Sequence, residues 1–172
     1  YPDRLVRKWD NAVETFRMAD NLPIIHIAVE TDSDQTSIGL DHTLIEDSHM
    51  DNHSIFFIPK EAPDMRIMLS SDGENGFVLT YGTEEECRSH AEEFRQNGDR
   101  MMKERKERIN SLVTEYNPTK SNLPELDKAL DWITITMDEL ITKQQGNGIY
   151  AGLPWFNEYW GRDMFISFPG AC

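Results

Sequence analysis

The sequence predicts an α+β protein in which a β-rich amino-terminal half precedes a helical second half. Residues 54–59, 64–71 and 76–82 are rich in β-branched and aromatic side chains and are separated by turn residues. After Thr83 the apolar residues recur instead every three or four positions, which is the spacing of an amphipathic helix. This change of period places the boundary between the two halves near Thr83.

We divide the chain of 172 residues accordingly into three parts. A β-rich part covers residues 1–82, a linking helix covers 83–117, and the start of a second, helical domain covers 118–172. The chain begins with Tyr1 and ends in what reads as the start of a helix, so we expect it to be a piece of a longer protein.

The first element is predicted to be an amphipathic helix over residues 3–19. Its apolar residues are mostly three or four positions apart, and they are Leu5, Val6, Trp9, Val13 and Phe16. Residues 24–31 are apolar and β-branched, which predicts a strand. We interpret His26 in this strand as a packed side chain, with a ligand or a catalytic base as the alternative.

Residues 32–53 are polar, with several acidic residues and three histidines. Such a composition could hold a weakly bound cation. However, the spacing matches neither an EF-hand loop nor an H-E-x-x-H zinc motif. We therefore predict a solvated loop and no metal site.

The strand at 24–31 and the three later strands are expected to form an antiparallel patch. Asp72-Gly73 and Asn75-Gly76 supply the turn residues between the last two strands. So few strands bury little surface, which indicates the edge of a larger, β-sandwich-like domain.

Three helices are predicted in the second half. Thr83 and Glu86 form a capping box at the start of the first, which runs to about Tyr116. The second begins after a cap at Ser121 or Asn122, carries an apolar stripe of the kind that is ordinarily core, and ends near residues 144–146. The third begins at Arg162.

The last 27 residues, 146–172, combine aromatic, glycine and charged residues densely. The aromatic residues are Tyr150, Trp155, Phe156, Tyr159, Trp160, Phe165 and Phe168. Arg162 and Asp163 follow Trp160 closely. Sugar rings stack their C–H faces on aromatic side chains, and their hydroxyl groups pair with carboxylate and guanidinium groups. The segment therefore has the side chains of a sugar site.

The stretch AGLPWFNEYWGRDMFISFPG, residues 151–170, resembles the signature of the glycogen-debranching, amylo-α-1,6-glucosidase group of glycoside hydrolases. Its W-x-R-D element is similar to that of glucoamylase-like (α/α)6-barrel enzymes. The resemblance implies that residues 118–172 are the first helices of such a barrel. It also implies a glycoside hydrolase that acts on α-glucan, with α-1,6-glucosidase chemistry and no cofactor.

The resemblance also assigns roles within the motif. Asp163 and Arg162 would bind hydroxyl groups of the terminal sugar, Trp160 would form a wall of that subsite, and Trp155 and Phe156 would line the pocket. Glycoside hydrolysis needs a pair of carboxyl groups. In the family that pair comes from later barrel loops, so no catalytic residue is expected within this segment.

Two alternatives stay open. The segment could be a non-catalytic carbohydrate-binding or structural element, or part of another α-glucosidase or a trehalase-like enzyme of the same barrel class. The aromatic residues could also be barrel core, with Arg162 and Asp163 as a buried ion pair.

Composition limits the partners. The net charge of −14 argues against binding to nucleic acid or to an anionic membrane, while a neutral glucan is compatible with it. No apolar run is long enough for a membrane span. The two cysteines, Cys87 and Cys172, are expected to be reduced thiols in a cytoplasmic protein. The sequence leaves the oligomeric state open.

Overall fold

The computed structural model describes residues 3–32, 41, 43–118, 120–142 and 146–171, with side chains described as far as Ser167. The chain forms two compact units, which we describe separately. Unit 1 is Asp3–Glu107 and unit 2 begins at Arg108. The three-part division predicted from the sequence stays a prediction.

Unit 1 is built on one antiparallel sheet of seven strands in the order β1-β2-β3-β7-β6-β5-β4. The strands are β1 (Leu5–Lys8), β2 (Ala12–Met18), β3 (Ile24–Thr31), β4 (Ile45–Asp51), β5 (Ser54–Pro59), β6 (Arg66–Ser71) and β7 (Gly76–Gly82). This confirms the α+β class and the β-rich amino-terminal part, including the strands predicted at 24–31, 54–59, 64–71 and 76–82.

The helix predicted over residues 3–19 is wrong. This segment is the β1–β2 hairpin, in which Leu5 pairs with Phe16 and Val6 with Thr15. Its valines, threonine and phenylalanine favour strands, and the turn lies at Asp10-Asn11 between them. The helical spacing arose because residues on two short strands happened to fall three or four positions apart.

The loop predicted over residues 32–53 is wrong for its last third. Residues 45–51 form β4, an edge strand joined to β5 by a tight turn in which Asn52 has a φ of 50°. An edge strand with mostly exposed side chains needs no apolar alternation, so its polar sequence concealed it. Residues 33–40 and His42 lie outside the described residues.

Helix α1 (Glu84–Tyr116) begins with the predicted capping box. The backbone N–H of Thr83 donates to Glu86 Oε2 at 2.8 Å, and the Glu86 N–H donates back to Thr83 Oγ1 at 3.3 Å. The glycine in its middle has a packing reason: a Cβ on Gly98 would lie 2.9 Å from the ring of Phe94.

The first part of α1 covers one face of the sheet. Two buried clusters form this core, one of Phe56, Met68, Cys87 and Ala91 and one of Ala19, Ile24, Val78, Phe94 and Met101. His26 is a packed strand residue here, since its ring stacks on Phe94 with centroids 4.9 Å apart. Burial raises the pKa of the Cys87 thiol.

The β6–β7 turn is organised by Asp72. Its carboxylate accepts hydrogen bonds from the backbone N–H groups of Glu74 at 2.8 Å and Gly76 at 3.0 Å, and it pairs with His26 Nε2 at 2.9 Å. Burial of Asp72 opposes ionisation, but these hydrogen bonds outweigh it and hold the pKa of this carboxyl below its ordinary value.

The other face of the sheet is apolar as well. One row of paired residues crosses six strands, from Met18 through Ile25, Leu79, Leu69 and Ile55 to Met50. A β-sandwich would cover such a row with a second sheet. The described residues of unit 1 contain one sheet, so the sandwich-like part of the fold class stays a prediction.

Unit 2 contains the end of α1, helix α2 (Pro124–Leu140), the short strands β8 (Ile141–Thr142) and β9 (Gly148–Ile149), and helix α3 (Gly161–Ala171). The predicted cap of α2 at Ser121 or Asn122 is wrong. Leu123 occupies the cap position and gives no side-chain hydrogen bond, while Ser121 bonds to Leu123 and Asp127 in the approach to the helix. The helix also ends at Leu140, earlier than predicted, because the chain turns into β8.

Candidate sugar-binding site

The candidate site lies on the segment that joins α2 to α3. Strand β9 pairs with β8 immediately after α2, and the Tyr150 N–H donates to the carbonyl of Leu140 at 2.9 Å. The segment therefore folds back on the end of α2 before it reaches the aromatic motif.

Tyr159 anchors the segment. Its hydroxyl donates to the Gly146 carbonyl at 2.8 Å, and its ring centroid lies 5.6 Å from that of Tyr150. The ring also occupies the space beside Gly148, where an added Cβ would lie 2.7 Å from a ring carbon. A glycine is therefore required at 148 for Tyr159 to pack in this position.

A tight turn presents the next two aromatic residues. The Gly152 N–H donates to the Phe156 carbonyl at 3.1 Å, and the Phe156 N–H donates to the Gly152 carbonyl at 2.6 Å. Trp155 lies at the tip of this turn and is 84% exposed, and Phe156 is 57% exposed. A solvent-exposed indole on a closed turn is available to stack on a ligand ring.

The remaining three predicted residues lie at the start of α3. The carbonyl of Trp160 accepts the first helical hydrogen bond, from the Met164 N–H at 3.0 Å. Arg162 Nη2 lies 3.4 Å from Asp163 Oδ2, and the two side chains are 75% and 32% exposed. The pair is thus accessible in this chain, and the Asp163 carboxylate is in the first turn of α3, where the helix dipole favours negative charge.

All five predicted substrate-binding residues thus lie on one accessible stretch, from the 152–156 turn to the first turn of α3. Among the described residues, no ring–ring contact joins Trp155, Phe156 or Trp160 to one another. Sequence reasoning did not identify the anchoring roles of Tyr159 and Gly148, because nothing in their spacing indicates that they pack together. The carboxyl groups of residues 146–171 are those of Glu158, which is exposed, and Asp163.

The described residues contain no group of three or more His, Cys, Asp or Glu side chains placed to hold a metal ion. No described helix combines the length and the apolar composition that crossing a membrane requires. The weak cation site considered for residues 32–53 therefore gains no support from its described residues.

Residues 99–172 match the family model described as amylo-alpha-1,6-glucosidase. This confirms the resemblance predicted from the aromatic motif and extends it towards the amino terminus, into α1. This part of the chain is thus a segment related to glycoside hydrolases. No significant match to the chain was found among curated proteins or among solved structures.

Proposed function

We propose that residues 146–163 form the terminal sugar subsite of a glycoside hydrolase that acts on α-glucan, of the glycogen-debranching, α-1,6-glucosidase type. The observation that carries the proposal is the accessible Arg162–Asp163 pair, 3.4 Å apart, which follows directly after the partly exposed Trp160. The family match over residues 99–172 supports the same assignment.

In this proposal Asp163 accepts hydrogen bonds from two hydroxyl groups of the non-reducing terminal ring. Arg162 pairs with this carboxylate and donates to a further hydroxyl group. Trp160 packs against the C–H face of the ring, while Trp155 and Phe156 line the entrance. The catalytic acid and base are supplied from outside this segment, in the barrel of which residues 118–172 form the first helices.

These contacts position the sugar for reaction. A hydrogen bond to a charged group contributes roughly 1.5–3 kcal/mol. The contacts hold the terminal ring in the reactive geometry. Removing them should therefore lower kcat as well as raise KM.

The test is kinetic, on the active enzyme that contains this segment. Asp163→Asn and Arg162→Ala should each lower kcat/KM on a branched glucan by about tenfold to a hundredfold, with the melting temperature unchanged. Glu158→Gln is the matched control, since it removes an exposed carboxylate from the same segment, and it should leave kcat/KM within about twofold of the wild type.

A different result would reject the proposal. If Asp163→Asn and Arg162→Ala melt several degrees early while their folded fraction turns over normally, the two residues form a structural ion pair. If both variants lose oligosaccharide binding in a protein that releases no glucose from any α-glucan, the segment belongs to a non-catalytic carbohydrate-binding protein.

A further inference from the structure

We propose that unit 1 carries a second sugar-binding site, for a neutral oligosaccharide, in a cleft at one end of the sheet. The cleft has a volume of about 1010 Å³ and lies where the β1–β2 turn, the end of β3 and the β6–β7 turn come together. That volume is at the upper end of the range of pockets that hold small-molecule ligands. The class of ligand is inferred from the cleft alone, whereas the narrower expectation of an α-glucan rests on the proposed function.

The first observation is an aromatic platform in a fixed orientation. Trp9 lines the cleft and is 57% exposed, yet its indole N–H donates to Glu14 Oε2 at 2.7 Å. The same carboxylate oxygen accepts from Arg7 Nε at 2.5 Å, and the Arg7 guanidinium lies over the Trp9 ring, 5.1 Å from its centroid. These contacts restrain the indole before any ligand arrives. A sugar ring can then stack on the face that Arg7 leaves uncovered.

The second observation is the set of hydrogen-bonding groups around the platform. Besides Asp72, whose carboxylate organises the β6–β7 turn, the residues that line the cleft include four with carboxylates and two with amides: Asp10, Glu30, Asp32, Glu74, Asn11 and Asn75. Within the described part of the chain, none of the four carboxylates is engaged in an ion pair or a side-chain hydrogen bond. Carboxylates accept hydrogen bonds from hydroxyl groups, and amides both donate and accept them, which suits the vicinal hydroxyl groups of a sugar.

The walls of the cleft are held by the turn that Asp72 organises. The Val29 N–H donates to the Asn75 carbonyl at 3.1 Å, so the β6–β7 turn is fixed to β3. A Cβ on Gly76 would lie 2.2 Å from Asp72 Oδ2, which explains the glycine at that position. This backbone contact therefore holds β3 and the β6–β7 turn together where they line the cleft.

Other ligand classes fit the cleft less well. No lysine or arginine lines it, and its carboxylates repel anions, so a phosphorylated or nucleic-acid ligand is disfavoured. The described residues hold no cluster of ligands close enough together for a metal ion. A cationic peptide would pair with the carboxylates, but the indole face is already contacted by the Arg7 guanidinium, so a neutral sugar fits the cleft better.

The test is titration of the ¹⁵N-labelled chain with maltoheptaose, followed by NMR, with cellohexaose and tetralysine as comparison ligands. Maltoheptaose should shift the amide signals of residues 9–12, 28–32 and 71–77. Trp9→Ala should weaken this binding at least about tenfold, whereas Trp9→Phe, which keeps an aromatic face but loses the hydrogen bond to Glu14, should weaken it by only about threefold. Trp132→Ala is the matched control, because Trp132 is similarly exposed (49%) on α2 and does not line the cleft.

Several results would overturn the proposal. One is maltoheptaose and cellohexaose both leaving the cleft signals unmoved at millimolar concentration. Another is a shift at the cleft that Trp9→Ala does not reduce, with folding of the variant verified by circular dichroism. A third is tetralysine moving these signals while neither sugar does.

The outcome is separable from that of the proposed function. Binding of cellohexaose but not maltoheptaose would support a sugar site in the cleft and contradict the α-glucan expectation. Asp163→Asn should leave the shifts of residues 9–12 and 71–77 unchanged, because the cleft belongs entirely to unit 1. The proposal of a sugar site in the cleft can therefore be rejected while the proposal of a terminal subsite is supported, and the reverse is also possible.

Discussion

The two units of this chain differ in how far their apolar side chains are buried. In unit 1 the apolar side chains of α1 and of the strands it covers form closed clusters, and Phe56, Ile24 and Val78 are fully buried. In unit 2 the buried apolar residues among those described are Ile109, Ile135 and Ile149. Much of the apolar stripe of α2 is exposed, at Leu126, Leu130 and Ile133. The stripe has the regular spacing of a core helix. A periodic pattern thus predicts the helix, but it does not predict whether the apolar face of the helix is buried.

The exposed stripe of α2 coexists with well-formed polar contacts in the same unit. Arg108 forms an ion pair with Asp138 at 2.6 Å, and Asn117 Nδ2 donates to Thr134 Oγ1 at 2.9 Å. These contacts join α2 to the end of α1 through polar groups. We therefore expect unit 2 to tolerate apolar truncations that unit 1 cannot.

The largest expected effect follows from this contrast. Phe56→Ala should lower the free energy of unfolding by about 3–5 kcal/mol, because Phe56 fills the cluster with Met68, Cys87 and Ala91. Ile133→Ala, at a side chain that is 59% exposed, should change it by less than about 0.5 kcal/mol. Urea denaturation of both variants measures the difference. Equal decreases in the free energy of unfolding would mean that the apolar stripe of α2 is covered in solution, for example by self-association.

The next effect concerns the anchor of the sugar segment. Gly148→Ala should cost about 1–3 kcal/mol of local stability, because the new methyl group overlaps the Tyr159 ring. Gly152→Ala is the matched substitution, since its Cβ would meet Phe156 at an ordinary 3.7 Å. Hydrogen exchange across residues 146–160 distinguishes the two. Unchanged protection in Gly148→Ala would show that Tyr159 does not anchor this segment.

The smallest effect compares the two helix starts. Thr83→Ala should lower stability by about 1 kcal/mol, because it removes the side chain that caps α1. Leu123→Asp should raise it by about 0.5–1 kcal/mol, because α2 lacks a side-chain cap and an aspartate also favours the helix dipole. Thermal melting of both variants is the measurement. A destabilised Leu123→Asp would indicate that Leu123 has an apolar partner in solution.

Much of this fold could be predicted from local patterns. The capping box fixed the start of α1, and β-branched runs between turn residues identified β3, β5, β6 and β7. The β1–β2 hairpin could not be distinguished from a helix, because five apolar residues in a short segment satisfy either period. Strand β4 was concealed by its position at the edge of the sheet, where one partner strand supplies the pairing and solvent accepts the polar side chains.

The candidate site divides in the same way. Residue type suggested sugar chemistry for residues 146–172, and the resemblance of the motif to the glycogen-debranching group singled out Trp155, Phe156, Trp160, Arg162 and Asp163. The packing of Tyr159 over Gly148 and the clamp of Glu14 on Trp9 depend on contacts between residues that carry no mutual signal in the sequence. Such contacts are set by tertiary structure, and they determine whether an aromatic side chain is mobile or held in place.

The reactivity of the Cys87 thiol can report on the opening of the core of unit 1. Its thiol is buried between α1 and the sheet, with a raised pKa and with Sγ only 3.5 Å from the Arg66 carbonyl. Thiol reagents attack the ionised, accessible form, so they react with Cys87 only while α1 is detached from the sheet. Cys172 is the other cysteine of the sequence, and its replacement by serine leaves Cys87 as the single thiol of these 172 residues. The rate at which Cys87 is alkylated then measures how often α1 detaches from the sheet under native conditions.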